Sequence, residues 1–395
     1  MEITIIPGKL SGSVSAIPSK SQAHRLLICA VFADAPTELQ CPETNRDIEA
    51  TADCLRALGA VIIRTQTGYQ ITPISAIPQS ATLNCCESGS TLRFMLPIAG
   101  ALGVDATFLM EGRLPERPLS PLWEEMERMG CQLDRPTANT LRCTGKLRSG
   151  DYAISGSVSS QFITGLLFAT ALMNENSQIK IIGKLESSPY VTMTQQAMSI
   201  FGVKTENFAV NGCQTFRSPG YLKVEGDWSN GSFWLAAQVL GSPLTVDNLD
   251  LESPQGDRAA AQLLPRLRQE NCTIDASDIP DLVPIMAVGA AASHGAVFQN
   301  IQRLRLKETD RVATVCAMLD ALGAATHATE DTLTVFPAAL HGGTVDAAND
   351  HRIAMSAAIA STIASAPVKI LQAESVNKSY PGFWDEYRRL GGNYG

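Results

Sequence analysis

Residues 159–202 read SSQFITGLLFATALMNENSQIKIIGKLESSPYVTMTQQAMSIFG. A polar cluster, Ser159-Ser160-Gln161, opens an apolar run from Phe162 to Met173. A short strand pattern follows at Gln178 to Ile182, then Ser187-Ser188-Pro189-Tyr190 and a helical segment that closes on Phe201-Gly202. Ser is at home at a helix start, where backbone N–H groups lack intrahelical partners. Gly is at home just past the end, because it readily takes the left-handed conformation that stops a helix. The stretch therefore reads as a helix, a strand and a second helix.

The same unit recurs along the chain. Helical segments close at Gly59, Gly130, Gly202, Gly323 and Gly391, and Leu264 to Cys272 repeats the pattern with Asn271 in the place of Gly. The spacings are 71, 72, 69, 52 and 68 residues. Polar helix starts near Ser21, Ser90, Ser160, Asn230, Asp281 and Asp350 keep the same step, at 69, 70, 70, 51 and 69 residues. Two markers with one rhythm indicate six copies of a unit containing two helices and several short strands. Strand patterns lie at Glu2 to Ile6, Val61 to Arg64, Ala106 to Met110, Gln178 to Ile182, Leu244 to Val246, Thr332 to Phe336 and Val368 to Leu371.

Six units in 395 residues exceed one core, so three per domain is expected. The fold class is α/β, with one domain at 15–225 and the other made of 1–14 plus 226–395, the first strand crossing into the C-terminal lobe. If each domain gathers its helix starts, their partial positive charges and unpaired N–H groups form an anion site.

Composition narrows the functional classes. A net charge of −8 argues against nonspecific nucleic-acid binding. The longest apolar runs fall short of the roughly 18 residues of a membrane span, and MEITIIPGKL has no signal-peptide pattern. The ten cysteines include no C-x-x-C pair. A cytoplasmic monomer is expected, with no membrane or nucleic-acid partner and no metal or other cofactor.

Four regions carry candidate chemistry. The first is Pro18 to Arg25 (PSKSQAHR), where Lys20 stands at the positive end of a helix, a place that favours anions. The second is Glu87 to Arg93 (ESGSTLR), small enough for backbone N–H groups to approach an anion, with Arg113 to Pro118 (RLPERP) nearby. No nucleotide-type phosphate loop occurs. The third is Ser157 to Gln161 with Ser187 to Tyr190, rich in hydroxyls. The fourth joins Asp281, Lys307 to Arg311 (KETDR), Asp350-His351-Arg352 and Asn377 to Pro381 (NKSYP). Each alone also reads as an ordinary capped helix end or turn. Their recurrence at equivalent starts favours a site.

Read in order, PSKSQAHR, ESGSTLRF, LPERP, VSSQF, SSPY, DIPDLVP, LKETDR, DHRIAM and NKSYPGFWDEY resemble the 5-enolpyruvylshikimate 3-phosphate synthase family over nearly the whole chain. The resemblance implies two inside-out α/β barrel domains, each of three βαβαββ units, with a cleft between them. It implies transfer of the enolpyruvyl group of phosphoenolpyruvate to the 5-hydroxyl of shikimate 3-phosphate, a step of aromatic amino acid and chorismate biosynthesis. Lys20, Gly89, Arg93, Arg117, Gln161, Arg311, Arg352 and Lys378 match the family's phosphoenolpyruvate positions. Lys20, Ser21, Arg25, Ser159, Ser160, Gln161, Ser187, Tyr190, Asp281 and Lys307 match those for shikimate 3-phosphate. Asp281, Glu308 and Lys20 match the acid–base groups.

Glu87, Phe94 and Ser188 depart from residues common in the family. Two rivals share the fold: an enolpyruvyl transferase acting on UDP-N-acetylglucosamine, and a non-catalytic anion binder. The first typically carries a reactive Cys near the RLPERP region, and Glu111 to Pro121 holds none. The second gains nothing from Asp281 and Glu308. The expected chemistry explains the cations, because a dianionic phosphate about 5 Å from a carboxylate costs about 6 kcal/mol at an effective dielectric of 20.

Overall fold

Helices that are apolar on every side are stable only when surrounded, and six segments of this chain are of that kind. The computed structural model describes residues 1–395. Its helices alternate between buried and partly exposed. They are α1 (Lys20–Val31), α2 (Arg46–Ala57), α3 (Gly89–Leu102), α4 (Leu122–Arg128), α5 (Ser160–Ala171) and α6 (Ser188–Ile200). The second series is α7 (Trp228–Val239), α8 (Ala260–Leu267), α9 (Val283–Ala291), α10 (Arg311–Ala321), α11 (His351–Ser361) and α12 (Phe383–Arg389). The first helix of each repeat is the buried one; α9 and α11 are buried along their whole length.

The sheets repeat as the helices do. Ser80–Asn84 runs parallel to Asp105–Leu109, which pairs antiparallel with Thr140–Gly145, which in turn pairs antiparallel with Cys131–Thr137. The same order recurs in the sheets built on Asp151–Ser155 and on Cys272–Asp275. Two further sheets complete this order with a distant strand. Thr37–Gln40 takes Tyr221–Lys223 as its parallel neighbour, and Val368–Leu371 takes Glu2–Ile6 as its antiparallel one. The sixth sheet has two strands, Gly12–Ser15 beside Leu244–Asp247. All seven strands anticipated from the sequence form, within a residue at their ends.

The chain divides into two units, Met1–Ser19 with Glu225–Gly395, and Lys20–Val224. Each has its own hydrophobic core. Residues 15–19 stay with the first unit for a local reason. Ser19 N donates to Glu225 O at 2.8 Å and Asp227 N to Ile17 O at 2.8 Å, so the outgoing and returning segments form a short ribbon. The Gln255 side chain fastens that ribbon, accepting from Trp228 N at 3.0 Å and donating to Gly226 O at 2.8 Å.

The glycine stops at 59, 130, 202, 323 and 391 all have positive φ. Asn271 does not. Helix α8 ends at Leu267, and the Asn271 amide instead donates to His294 O at 2.9 Å, just before the strand Cys272–Asp275. Asn271 keeps the repeat's rhythm without serving as its cap.

Candidate functional site

In the unit formed by 1–19 and 225–395, the site is organised by Arg311, the first residue of α10, whose side chain has no solvent exposure. Its Nε donates to Asp350 Oδ2 at 2.9 Å, its Nη1 to Asp281 Oδ1 at 2.8 Å, and its Nη2 to Glu308 Oε2. Burying a guanidinium is tolerable only when such partners surround it. Asp350 is fixed in turn, because its Oδ1 caps α11 by accepting from Arg352 N at 2.9 Å. Arg352 reaches back, placing Nη2 3.0 Å from Asp281 Oδ2. Lys307 Nζ lies 3.6 Å from Asp281 Oδ1. Lys378 Nζ donates to Asn349 O at 2.9 Å. The starts of α9, α10 and α11 thus meet around one carboxylate.

The electrostatics follow. Burial pushes the Asp281 carboxyl up, but Arg352, Lys307 and Arg311 together overcome it and hold Asp281 well below the usual carboxylate range. Burial, reinforced by Arg311 and Arg303, lowers Lys307 to about 8 against the pull of Asp281 and Glu308. Arg311 is held above its ordinary value, the three carboxylates outweighing its burial.

In the unit 20–224, the starts of α1, α3 and α5 also carry the candidate residues. Lys20 Nζ pairs with Asp47 Oδ2 at 2.8 Å. Arg93 Nη1 donates to Gln161 Oε1 at 2.7 Å, and Gln161 Nε2 to Ser90 Oγ at 2.9 Å, which joins the starts of α3 and α5. The Arg117 guanidinium lies against Gly89; a Cβ there would sit 2.7 Å from Nη1 and 2.9 Å from Cζ. Ser159 caps α5, accepting from Gln161 N at 3.3 Å, and Ser160 is buried as that helix's first residue. Ser187, before α6, has φ 54° and makes no capping bond, a conformation that costs energy for a residue with a Cβ.

Arg25 is buried among protein acceptors. Its Nε donates to Thr194 Oγ1 at 2.9 Å, Nη1 to Ser21 O at 2.6 Å, and Nη2 to Tyr190 O at 2.9 Å. Burial lowers it to about 10. Arg25 therefore ties α1 to α6 and Tyr190 whatever else it binds.

Two local readings change. Asp281 does not cap a helix: α9 begins at Val283, and the carboxylate turns to the arginines instead. KETDR is not a single helix end, since Lys307 follows the 3-10 turn Gln302–Leu306 and α10 begins only at Arg311. Both still reach Asp281. Asp47, Thr194 and the role of Asp350 in holding Arg311 were not singled out from the sequence. An acid near a helix start is fully explained by capping or by the helix dipole, so their motifs carried no signal of these partners.

The fold is that of the enolpyruvyl transferases. It matches the EPSP synthase from Acinetobacter baumannii with a TM-score of 0.81 at 21% identity, covering 100% of this chain and 99% of that one. It matches the enolpyruvyl transferase NikO from Streptomyces tendae with a TM-score of 0.76 at 17% identity, covering 100% and 98%. The family model for EPSP synthase (3-phosphoshikimate 1-carboxyvinyltransferase) matches residues 5–278 and 265–387. A 3-phosphoshikimate 1-carboxyvinyltransferase from Clostridium kluyveri is 39% identical over 415 residues, 99% of this chain and 97% of that protein. One from Clostridium perfringens is 37% identical over 418 residues, with 99% and 98% covered. The chain belongs to the EPSP synthase family.

Arg25→Ala removes a buried cation and the donors that four groups on three helices share. It is expected to lower the unfolding free energy by roughly 2–4 kcal/mol in urea denaturation. A change of less than about 0.5 kcal/mol, the size of an ordinary surface substitution, would show that this network adds nothing to stability.

Proposed function

We propose that this chain transfers the enolpyruvyl group of phosphoenolpyruvate to the 5-hydroxyl of shikimate 3-phosphate and releases phosphate. Membership of the EPSP synthase family supports the reaction. The observation that carries the residue assignments is the gathering of Arg311, Arg352 and Lys307 on the single carboxylate of Asp281. Arg311 and Arg352, with Lys20, Gly89, Arg93, Arg117, Gln161 and Lys378, are the groups for phosphoenolpyruvate. Ser21, Arg25, Ser159, Ser160, Gln161, Ser187, Tyr190, Asp281 and Lys307, with Lys20, are those for shikimate 3-phosphate. Arginine suits both, because its planar fork bonds carboxylate and phosphate bidentately.

In this reading Asp281 has two roles in sequence. It first neutralises Arg352, Arg311 and Lys307, which makes it a weak base. An anionic substrate that takes up Arg352 and Arg311 replaces Asp281 as their counter-charge. The basicity of Asp281 then rises as the hydroxyl arrives. The hydroxyl oxygen bonds to C2 of phosphoenolpyruvate, its proton goes to Asp281, and C3 takes a proton from the Glu308–Lys20 pair. The resulting ketal then breaks its C2–O bond to phosphate, which leaves with the proton held by Asp281, while C3 returns a proton to the acid that supplied it; the double bond is restored as an enol ether and both groups regain their starting states. The ten free thiols, seven of them buried, support a reducing cytoplasmic setting. No helix is long and apolar enough to cross a membrane.

Asp281→Ala is expected to cut kcat by roughly 10²–10⁴-fold, measured as phosphate release with both substrates present. Turnover within a few-fold of the parent protein would remove Asp281 from the base role. Gly89→Ala is expected to push the Arg117 guanidinium aside and raise KM for phosphoenolpyruvate about tenfold or more, a cost of about 1.4 kcal/mol. An unchanged KM would mean that Arg117 does not hold that substrate.

A further inference from the structure

Within the unit 20–224, helices α1, α2 and α3 are joined by a strut of buried polar groups that the mechanism above does not use. His24 Nδ1 lies 2.7 Å from Thr51 Oγ1, Thr51 Oγ1 lies 2.7 Å from Thr91 Oγ1, and Thr91 Oγ1 donates to Ser88 Oγ at 2.7 Å. All four side chains are buried. His24 belongs to α1 and Thr51 to α2. Thr91 lies in the first turn of α3, and Ser88 caps that helix by accepting from Thr91 N at 3.2 Å. Thr91 Oγ1 also faces the carbonyl of Asp47 at 3.4 Å, the residue whose carboxylate pairs with Lys20. The His24 ring stands nearly perpendicular to that of Phe94 on α3, with centroids 6.3 Å apart.

The strut has one direction, because a hydroxyl carries a single proton. Thr91 gives its proton to Ser88, so the proton between Thr51 and Thr91 comes from Thr51, and Thr51 must accept from the imidazole. The ring is neutral, since burial, with Lys20 and Arg25 adding to it, holds His24 well below the usual histidine range. Its one N–H therefore sits on Nδ1, and Nε2, buried without a hydrogen-bond partner, keeps a lone pair. We propose that His24 is a positioning residue: as the donor at the head of the strut, it fixes the start of α3, and with it Gly89 and the Arg117 guanidinium against that glycine, in the geometry that takes phosphoenolpyruvate. This rests on the reading of Gly89 and Arg117 as groups for that substrate. The residues read as holding shikimate 3-phosphate have a separate fastening, because Arg25 ties α1 to α6 through Thr194 and Tyr190. Loss of the strut is therefore felt at one substrate and not at the other.

The test compares two variants with the parent protein. Thr51→Val removes the middle hydroxyl and keeps the shape of the side chain, whereas Thr51→Ser keeps the hydroxyl. The valine variant is expected to raise KM for phosphoenolpyruvate roughly fivefold to tenfold, the effect of about one net hydrogen bond, while kcat and KM for shikimate 3-phosphate stay within about twofold of the parent. The serine variant is expected to return KM for phosphoenolpyruvate to within about twofold of the parent. Lower stability with KM unchanged, as a merely structural contact would give, overturns the proposal. So does an equal rise in both KM values, a fall in kcat alone, or a serine variant no better than the valine one. Should Thr51→Val fail to fold, long-range nitrogen-15 NMR of the parent decides instead: a His24 ring protonated on Nδ1 alone supports the proposal, and one protonated on Nε2 or on both nitrogens overturns it. Failure of the underlying site reading is distinguishable, because it appears as an unchanged KM in Gly89→Ala, whereas failure here leaves that variant impaired.

Discussion

Arg311 cannot reach water, and its guanidinium is held by Asp350, Asp281 and Glu308. A buried cation stripped of its counter-charges is strongly destabilising, so these groups are obliged to stand together, and the rest of the site is arranged around them. Asp350 is anchored by the first turn of α11, which brings Arg352 onto Asp281 from the same helix start. Three cations, Arg311, Arg352 and Lys307, then face three carboxylates, Asp281, Glu308 and Asp350. Charges balanced in this way favour an anionic ligand only if one carboxylate gives up its place. Asp281 is the one shared by all three cations, and it is the carboxylate proposed above as the base.

The unit 20–224 solves a different problem. Its cations sit at the starts of buried helices, where the backbone is already partly positive. Lys20 is paired with Asp47, Arg93 is braced by Gln161, and Arg25 is bound to residues of α6. These side chains keep little rotamer freedom, which lowers the entropic cost of holding a ligand. Gly89 completes the arrangement by leaving room for the flat guanidinium of Arg117. Arg25 has a structural role of its own, so if it also holds shikimate 3-phosphate as proposed, its loss lowers affinity and stability together.

Much of this was legible in the sequence because helix starts and stops are local signals. Ser159 and Gly202 identify themselves by their own conformational preferences, and recurrence of such pairs exposed the repeat. What stayed hidden is non-local. The pairing of Tyr221–Lys223 with Thr37–Gln40 joins residues 183 positions apart in an otherwise repetitive order, which no periodicity records. Asp47 and Asp350 lie in the first turns or caps of helices, where an acid needs no further explanation. Asn271 shows the opposite error: its residue type fitted a helix cap, while the chain used it to bind His294.

The account turns on Asp281 being the counter-charge that a substrate anion must replace, and binding without turnover isolates that step. Titration calorimetry of phosphoenolpyruvate against Asp281→Asn and against the parent protein, at the same pH and salt, measures it directly. The amide keeps the shape of the side chain and removes its charge, so the variant is predicted to bind about tenfold more tightly or better, a gain of at least about 1.4 kcal/mol. Equal or weaker binding by the variant would contradict the account, because it would mean that Asp281 does not compete for the cations.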